Sequence, residues 1–429
     1  MTGKRAAHHK MGGFLEELAW RGLVADRTPG LAERLRRGPI TAYVGFDPTA
    51  PSLQVGNLVP VMLLEHLRRA GGRPIVVMGG GTGLIGDPSG KQNERPLLAK
   101  NELEANLGTQ ERQFRALLPG VEMVNNAAWL GGLSLVDFLR DIGKHFTVAV
   151  MLQKESVKTR MDEGISFTEF SYMLLQAYDF WHLFREHRCE MQMGGSDQWG
   201  NITAGIELIR RREGKEAHGL SAPLVTTSGG AKFGKSEGRA VWLDTGLTAP
   251  AQFYNFWVNV DDRDVEPYLR MFTFKSRDEI AALMAQHATN PGARFAHHAL
   301  ASDVTAWVHG EAAARDVQAA LQQVFSRLDD TDLGRTIEQL LPTTPKRSFH
   351  WDRAKPPKPE DLFVAGGLAS SKGDARRLLA GKGLYLNRKV PPTGAAVSHT
   401  EVVSTTQGKF VLLQKGKKTY QPLEITGLE

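Results

Sequence analysis

Residues 43–57 read YVGFDPTAPSLQVGN, and the other motifs of the chain are arranged around this segment. A strand-like run over 40–46 stops at a cluster of turn-forming residues, and a helical pattern begins at Gly56 and Asn57. Where a strand leads through a tight loop into a helix, the unpaired N–H groups and the positive end of the helix dipole point into that loop. The sequence therefore predicts a binding site for an anion, with phosphate as the natural ligand.

The residues that follow indicate how the sheet continues. Apolar residues at helical spacing cover 58–67, and a second strand-like run covers 74–78. Strand, helix and strand in this order are typical of an α/β protein with a parallel, doubly wound sheet. We expect this Rossmann-type arrangement for the first half of the chain.

The glycine-rich segment 79–90, GGGTGLIGDPSG, raises the question of a nicotinamide cofactor. Its spacing over 81–86 is formally the dinucleotide fingerprint G-x-G-x-x-G. The fingerprint requires a helix that begins at the loop, but turn formers with Pro88 among them come directly after it. This argues against a nicotinamide oxidoreductase and for a continued loop.

Residues 166–187 are predicted to form a buried helix that carries a polar stripe. Ser166 and Glu169 have the S-x-x-E spacing of a capping box, which marks a helix start. Apolar and aromatic residues then point in nearly every direction around the axis. Tyr172, Gln176 and Asp179 share one face, at i, i+4 and i+7. Because a buried carboxylate without partners is costly, the stripe is expected to meet other buried polar groups or a polar ligand.

Two later loops have the composition of ligand-binding loops. A predicted strand over 189–195 leads into capping residues over 196–201, a junction suited to gripping a ribose or the polar end of a substrate. The segment 228–236, SGGAKFGKS, places Lys232 and Lys235 three residues apart in a glycine-rich loop. Considered alone, such a lysine pair is typical of a solvated surface.

Length and composition describe an ordinary globular chain. With 429 residues, two or three domains are expected, and 41% hydrophobic with 23% charged residues is a typical balance. No apolar run approaches a membrane span and the first ten residues do not resemble a secretory signal, so we expect a cytoplasmic protein. The single cysteine, Cys189, excludes an internal disulfide framework and a cysteine metal cluster.

The positive charge is concentrated at the C-terminus. The formal net charge is +6, but residues 346–429 alone carry 15 Lys and Arg against 7 Asp and Glu. A nearly neutral body with a basic tail is what a polyanion-binding appendage would produce. Earlier in the chain, the mixed apolar and charged segment 133–156 suits either an exposed insertion or a subunit contact.

Together these motifs resemble bacterial tyrosyl-tRNA synthetases, of the class I aminoacyl-tRNA synthetases, over nearly the whole chain. The matching stretches are YVGFDPTA at 43–50, GLIGDPSGK at 83–91, FTEFSYMLLQAYDF at 167–180, GGSDQWGNI at 194–202 and KFGKS at 232–236. The basic helix and short strand over 373–388 are similar to the S4-like RNA-binding module.

The resemblance implies a two-step reaction. Tyrosine and ATP give tyrosyl-adenylate and pyrophosphate, and the tyrosyl group then moves to the terminal ribose of tRNA(Tyr). ATP is a substrate accompanied by Mg2+, and no tightly bound, protein-ligated metal is implied. The resemblance also implies a homodimer without membrane association.

The resemblance assigns roles to residues at matching positions. It implies that the catalytic residues are Thr49, Gln54, Lys91, Arg95, Lys232 and Lys235. Those that bind tyrosine are Tyr43, Asp87, Tyr172, Gln176, Asp179 and Gln192, with Tyr43 and Asp179 on the phenolic hydroxyl and Asp87, Tyr172 and Gln176 on the ammonium group. Those that bind ATP are Gly45, Asp47, Gly56, Asn57, Asp197, Gln198 and Lys235. RNA contacts are expected at Arg376, Arg377, Arg388 and Lys389.

One signature position departs from the family pattern. The first residue of the signature usually written HIGH is histidine, but here the four residues are Gln54, Val55, Gly56 and Asn57. An amide donates to a phosphate oxygen but cannot become cationic. Some stabilisation of the transition state is therefore lost at Gln54 or is supplied by neighbouring groups.

The predicted domain organisation has four parts. A catalytic domain that binds ATP and tyrosine is expected over 1–247, and an α-helical tRNA-recognition domain over 248–341. A proline-rich linker over 342–359 then precedes a small α+β, S4-like domain over 360–429.

Two alternatives stay open beside the tyrosyl interpretation. A tryptophanyl enzyme shares the fold and signatures, although Tyr43 with Asp179 favours a phenol. A catalytically decayed RNA-binding paralogue would explain Gln54, but both loop lysines and the tyrosine pocket residues are retained.

Overall fold

The structure of this chain is a computed structural model. It describes residues 11–428 except 90–97, 159–160, 162–163, 231–232, 237–238, 327–332, 342–343, 345, 393 and 417–418. The strands are β1 (Asp26–Arg27), β2 (Thr41–Phe46), β3 (Arg73–Met78), β4 (Glu122–Asn125), β5 (Met191–Gly195), β6 (His218–Ala222), β7 (Lys235–Ser236), β8 (Arg239–Ala240), β9 (Ser348–His350), β10 (Leu384–Leu386), β11 (Val403–Thr405), β12 (Gly408–Lys415) and β13 (Thr419–Thr426).

Helices account for most of the remaining regular structure. They are α1 (Phe14–Trp20), α2 (Leu31–Arg36), α3 (Leu58–Arg69), α4 (Lys100–Leu117), α5 (Ala127–Leu130), α6 (Leu135–Asp141), α7 (Val148–Leu152), α8 (Glu155–Lys158), α9 (Phe167–His187), α10 (Trp199–Glu213), α11 (Pro250–Val258), α12 (Asp262–Phe272), α13 (Arg277–Thr289), α14 (Phe295–His309), α15 (Glu311–Ser326), α16 (Leu333–Leu340), α17 (Pro359–Ala365) and α18 (Lys372–Ala380). Within the described residues, no helix combines the length and apolar character needed to cross a membrane.

The chain divides into two compact units, one formed by Met1–Leu243 with Asp261–Ala296 and the other by Asp244–Val260 with His297–Glu429. The first unit contains a six-stranded sheet of order β1-β6-β5-β2-β3-β4. β2 to β6 run parallel, and only the short edge strand β1 pairs antiparallel. The predicted doubly wound sheet is confirmed.

Close packing of α9 and α10 supports one face of this sheet. Phe180 of α9 is fully buried, and a Cβ on Gly205 of α10 would lie 2.8 Å from its ring. The absence of a side chain at Gly205 therefore lets the two helices approach each other. Phe180 also packs on Tyr43 of β2, with ring centroids 5.5 Å apart, which fixes α9 over the centre of the sheet.

The second unit contains a small sheet of order β10-β12-β13-β9, with β11 paired to β12. Alternate residues of a strand face opposite sides of a sheet, and those of β12 contribute to two separate apolar clusters. One cluster includes Leu413 and lies under α17 and α18, and the other joins Phe410 to Ile337 and Leu340 of α16. The predicted small C-terminal α+β part is thus present, with helices on both faces of its sheet.

The predicted domain limits stay a prediction, and two structural facts bear on where they fall. β9 lies inside the segment 342–359, where its three residues pair in parallel with the end of β13. Trp351, in the same segment, is 1% exposed. The limit at 341 separates α16 from the sheet that it packs against.

Candidate active site

The candidate site lies where the winding of the large sheet reverses. The chain proceeds from β2 to β3 and β4 on one side, and then returns to β5 and β6 on the other. In open α/β sheets the crevice beyond the carboxyl ends of the strands at such a switch point binds ligands. Tyr43 of β2 and Gln192 of β5 are direct partners across this reversal.

The loop after β2 leads into a short 3-10 turn, Val55–Asn57, that precedes α3. Asn57 uses its side-chain Oδ1 to accept the backbone N–H of Gln54 at 2.8 Å. The N–H of Val55 donates to the carbonyl of Val241 at 3.0 Å, which ties this turn to the segment after β8. Gly56 is exposed, and a Cβ there would meet nothing within 4 Å, so its backbone is open to a ligand.

Asp47 joins three of the elements around the crevice. Its Oδ1 accepts from the Thr82 hydroxyl at 2.8 Å, and its Oδ2 accepts from the Tyr172 hydroxyl at 2.8 Å. A Cβ on Gly79 would lie 2.1 Å from Asp47 Oδ1. The first glycine of the run over 79–90 is therefore required by the approach of Asp47. A short 3-10 turn, Thr82–Leu84, stands where the dinucleotide fingerprint needs a helix.

Asp179 is held by two donors that come from beyond β4. Its Oδ1 accepts from Trp129 Nε1 at 2.7 Å, and its Oδ2 accepts from Asn126 Nδ2 at 2.9 Å. Burial raises the pKa of the Asp179 carboxyl to about 7; the two hydrogen bonds lower that pKa, while nearby Asp47 raises it further. Both donors are neutral, so the Asp179 carboxylate has no cationic partner among the described residues when it is ionised.

Two buried polar groups at the centre of the sheet have no hydrogen-bond partner among the residues that the structure describes. These are the hydroxyl of Tyr43 and Oε1 of Gln192, in residues that are 1% and 2% exposed. Burial, with Asp179 nearby, raises the pKa of the Tyr43 hydroxyl well above its usual value, so it stays a neutral donor and acceptor. Unpaired buried groups are costly and rare, which points to a ligand that completes them.

Asp87 anchors a second polar group of residues, at the start of α10. Its Oδ2 accepts from Gln198 Nε2 at 2.6 Å, and its Oδ1 accepts from a backbone N–H at 2.9 Å. Gln198 Oε1 in turn accepts from Gln176 Nε2 at 3.2 Å, and Asn201 Nδ2 donates to Gln176 Oε1 at 3.0 Å. In the part of the chain that the structure describes, neither Asp87 nor Asp179 pairs with a cationic side chain.

The glycine-rich segment 228–236, named here the lysine loop, has Gly234 against the turn that follows Gln54. Gly234 has φ +91°, and a Cβ on it would lie 3.1 Å from Val55 and 3.6 Å from the backbone nitrogen of Gly56. Phe233 is buried and stacks on Phe272 of α12 with a centroid distance of 5.2 Å. The loop is therefore fixed at its base beside the predicted phosphate site.

The structure describes some of the other predicted site residues and not others. Lys91, Arg95 and Lys232 lie outside the described residues, and only the backbone of Lys235 is described, in β7. Thr49 and Gly45 are exposed; for Gly45 this means that a central strand is open to solvent at the crevice. Asp197 is half-buried in the 3-10 turn Ser196–Gln198, beyond the end of β5.

The sequence model of the tRNA synthetases class I (W and Y) matches residues 35–326 of this chain, which include every part of the crevice. The chain belongs to this family. A tyrosine–tRNA ligase of Anaeromyxobacter dehalogenans (strain 2CP-C) is 52% identical over 422 residues, covering 97% of this chain and all of that protein. A tyrosine–tRNA ligase of Bacillus caldotenax is 45% identical over 95% of this chain and 98% of its own.

A solved structure within the class I synthetases shows the same fold. It is a C-terminally truncated mitochondrial tyrosyl-tRNA synthetase from Aspergillus nidulans, 31% identical, with a TM-score of 0.68. It covers 76% of this chain and 99% of the truncated one. The expected family and fold class are confirmed, and the nicotinamide alternative is not supported.

The predicted RNA-binding residues of this class I synthetase belong to its second unit, whereas the crevice residues belong to the first. Arg377 is 81% exposed and pairs with Asp374 of its own helix, α18. Arg376 donates to Glu360 at 3.1 Å. Arg388 is half-buried and donates to Thr336 of α16 at 3.0 Å, while Lys389 is exposed.

Sequence reasoning missed three residues of the crevice. Asn126 and Trp129 hold Asp179, and Thr82 accepts from Asn126 Nδ2 at 2.9 Å before donating to Asp47. Asn126 directly follows β4, at the carboxyl edge of a parallel sheet, which is where ligand-binding side chains are expected. No local pattern distinguished Trp129 from an ordinary apolar residue.

Proposed function

We propose that this class I synthetase is a tyrosine–tRNA ligase. The observation that carries the proposal is that two buried groups lie near each other. The Tyr43 hydroxyl has no hydrogen-bond partner among the described residues, and the Asp179 carboxylate has no cationic partner among them. A phenol donates one hydrogen bond and accepts others, so it satisfies both groups. The indole of tryptophan only donates and phenylalanine does neither, so each leaves a buried group unpaired. Tyrosyl-tRNA synthetases are the standard example of selection by stranded polar groups.

Asp87 is proposed to bind the ammonium group of tyrosine. It is 6% exposed and its partners are an amide and a backbone N–H, so a cation at this place gains a full charge–charge interaction. Gln176 and Tyr172 lie on the same face of α9 and supply neutral oxygen atoms nearby. The polar stripe then has an amino-acid ligand along its length, with Asp179 at the phenol end.

The first step needs no general base, because the tyrosine carboxylate is already a nucleophile. An oxygen of that carboxylate forms a bond to the α-phosphorus of ATP, and the bond from phosphorus to the bridging oxygen breaks. The electron pair leaves with pyrophosphate. The protein contributes positioning and stabilisation of the charge that moves onto the leaving group.

The phosphates are proposed to lie over the turn that follows Gln54. Gly56 and Gly45 leave space for close approach, and the base of the lysine loop touches the same turn through Gly234. Thr49 and Gln54 are the proposed neutral donors. The proposed cations are Lys91, Arg95, Lys232 and Lys235, and the proposed ribose and amine contacts are Asp47, Asn57, Asp197 and Gln198.

Mg2+ is proposed to enter bound to the phosphates of ATP, where it neutralises charge on the leaving pyrophosphate. Asp47 already accepts hydrogen bonds from Thr82 and Tyr172, and Asp87 accepts one from Gln198. We therefore assign no protein-built cage to the ion.

The test of the proposal is tyrosine-dependent exchange of labelled pyrophosphate into ATP, with phenylalanine and tryptophan as controls. The expected result is exchange with tyrosine alone. Charging of tRNA(Tyr) should follow in a cytoplasmic extract of the cells from which the protein comes. Exchange with tryptophan in place of tyrosine would transfer the assignment to the other branch of the family. Tyrosine binding without exchange would favour the decayed paralogue.

Gln54→Ala is expected to lower the rate of adenylate formation by about 10-fold, because a hydrogen bond to a charged phosphate contributes about 1.5 kcal/mol. The Kd for tyrosine should stay unchanged, since Gln54 lies on the phosphate side of the crevice. Stopped-flow fluorescence with saturating ATP and a series of tyrosine concentrations measures both quantities. Gln54→His is the matched variant and should retain at least the wild-type rate. A loss of tyrosine affinity with an unchanged rate would remove Gln54 from the phosphate site.

A homodimer is also part of the proposal, and an exposed apolar face in the first unit supports it. Seven large apolar side chains of α6, α7 and the start of α9 are between 39% and 76% exposed, although Met151 of α7 is buried. They are Leu135, Val136, Leu139, Val148, Val150, Leu152 and Phe167. An exposed apolar group of this kind is typical of a protein–protein interface.

Val136→Asp is expected to convert the dimer to a monomer. An acidic residue in the first turn of α6 is compatible with the helix, so the fold should survive while the interface acquires a buried charge. Sedimentation velocity measures the change in mass. Val390→Asp is the control, because Val390 is 42% exposed and lies in the second unit. A wild-type protein that sediments as a monomer would end this part of the proposal.

A further inference from the structure

The loop between β2 and the 3-10 turn at Val55–Asn57 belongs to no helix or strand, and the β-bridge from Gln54 to Trp242 lies at its very end. Residues 47–54 include Pro48 and Pro51, which donate no hydrogen bond and disfavour both helix and sheet. The loop nevertheless carries Thr49 and ends at Gln54, the two proposed neutral donors to the phosphates. Its buried backbone groups must find partners elsewhere in the chain.

Those partners are side-chain amides on α4. Asn106 Nδ2 donates to the carbonyl of Pro48 at 3.0 Å, and Gln110 Nε2 donates to the carbonyl of Ala50 at 2.9 Å. Thr49 stands between these two anchored carbonyls. Its backbone position is therefore fixed from both sides by a helix that begins at Lys100, far along the sequence.

A third amide holds the other end of the loop. Gln113 Oε1 accepts the backbone N–H of Leu53 at 2.9 Å, and its Nε2 donates to the hydroxyl of Ser52 at 2.8 Å. Leu53 directly precedes Gln54. The carbonyl of Leu53 also accepts from the N–H of Leu243 at 2.8 Å, so the residue before Gln54 is fixed on two sides.

Asn106, Gln110 and Gln113 lie at i, i+4 and i+7 and form one face of α4, which we name the amide stripe. Asn106 and Gln110 are 5% and 3% exposed. Gln110 Oε1 is buried and has no hydrogen-bond partner in the described part of the chain, so this side chain bears a desolvation cost that leucine would avoid. Packing alone does not account for a buried amide at this position, whereas its bond to the loop does.

We infer that the amide stripe is a positioning device for the first reaction step. It sets Thr49 and Gln54 relative to the phosphate that is transferred, and it makes no contact with tyrosine. This inference rests on the proposed function. Because the barrier depends on the placement of donors to within a fraction of an ångström, loss of an anchor acts on the rate constant rather than on tyrosine affinity.

Gln110→Leu is the variant that separates positioning from folding. Leucine has a similar size; loss of the donor to Ala50 destabilises the fold, while loss of the unpaired buried oxygen stabilises it, so the melting temperature should stay close to that of the wild type. The rate of adenylate formation with saturating tyrosine and ATP should fall about 10-fold. Active-site titration should still give full occupancy, and the Kd for tyrosine should be unchanged.

The controls use the same helix and the same readouts. Arg112→Ala changes an exposed side chain between the second and third members of the stripe and should leave the rate unchanged. Asn106→Leu repeats the test at the Pro48 anchor in case Gln110→Leu does not fold. Reduced occupancy at an unchanged rate constant, or a wild-type rate in both stripe variants, overturns the inference.

A double-mutant cycle tests whether the stripe acts through Gln54. If it does, Gln110→Leu should cost clearly less in a Gln54→Ala background than in the wild type, because one of the donors that it positions is already absent. Equal fold-changes in the two backgrounds would show that the stripe does not act through Gln54. Absence of exchange in the wild type would instead contradict the proposed function itself.

Discussion

Asp179→Asn is expected to lower kcat/KM for tyrosine activation by about 100-fold. A hydrogen bond to a buried carboxylate contributes about 1.5–3 kcal/mol, and the tyrosine hydroxyl loses it in this variant. The amide cannot replace the carboxylate, because Trp129 and Asn126 both donate to Asp179 and one of them would face an N–H group. Pyrophosphate exchange measured against tyrosine concentration gives the ratio.

Discrimination against phenylalanine should narrow in the same variant. In the wild type, bound phenylalanine leaves the carboxylate of Asp179 and the hydroxyl of Tyr43 without a ligand partner. An unpaired asparagine at position 179 is less costly than an unpaired carboxylate. The ratio of kcat/KM for the two amino acids should therefore fall, mainly through the loss with tyrosine. Tyr43→Phe is the companion variant, since it removes the other partner without a change in charge. An unaltered ratio in both variants would place the phenol elsewhere.

Asp179 also makes the stability of the ligand-free protein depend on pH. Burial raises the pKa of its carboxyl to about 7, while the unfolded chain has the ordinary value of 3.8. Between these values the folded protein holds a proton that the unfolded chain has released, so this group's contribution to stability falls as pH rises. Thermal unfolding at pH 5 and pH 8 should show a smaller decline for Asp179→Asn than for the wild type. Equal declines would assign the effect to other groups.

The sequence revealed those parts of the site that are local. The junction after β2 and the stripe of Tyr172, Gln176 and Asp179 follow from turn formers and helical spacing, which are properties of neighbouring residues. The partners of Asp179 lie about 50 positions earlier in the chain, and the amide stripe lies about 60 positions after the loop that it holds. No helical period relates such residues, so only the fold brings them together.

The amide stripe shows why a correct local pattern was not enough. The composition of residues 100–118 is typical of a polar helix, and α4 covers Lys100–Leu117. The polar face of a helix normally meets water. The spacing of the polar residues on α4 therefore does not indicate that their side-chain amides hold a proline-containing loop. The same limit applies to β9, because a proline-rich segment predicts a linker and a three-residue strand has almost no pattern of its own.

Removal of the C-terminal part is expected to abolish tRNA charging while adenylate formation continues. All the proposed tyrosine and ATP contacts lie in the first unit, whose residues end at Ala296. The basic excess of the chain lies after 345, and contacts between such residues and phosphates supply binding that weakens with salt. A variant that lacks this basic part should therefore exchange pyrophosphate at the wild-type rate and fail to charge tRNA.

The structure indicates where this cut should be made. A chain that ends at Leu341 keeps α16 but loses the sheet beneath it, which exposes Ile337 and Leu340, now 0% and 2% exposed. Burial of each such side chain is worth about 1.5–3 kcal/mol, so this variant is expected to aggregate or lose α16. A chain that ends at Ser326 removes the helix together with its sheet and still contains all residues matched by the family model. The second variant is the one whose exchange rate should equal that of the full chain.

A full-length control distinguishes weaker RNA binding from the removal of a folded unit. Arg377→Ala with Lys389→Ala removes two exposed cations, and Arg377 pairs only with Asp374 of its own helix among the bonds described. The logarithm of the tRNA association constant falls linearly with the logarithm of the salt concentration. The slope of that line should become less steep by nearly one for each phosphate that is no longer neutralised. Exchange should not change, because neither residue lies in the first unit. If charging survives in the Ser326 chain and the slope stays the same in the double variant, the C-terminal unit is not where tRNA is bound.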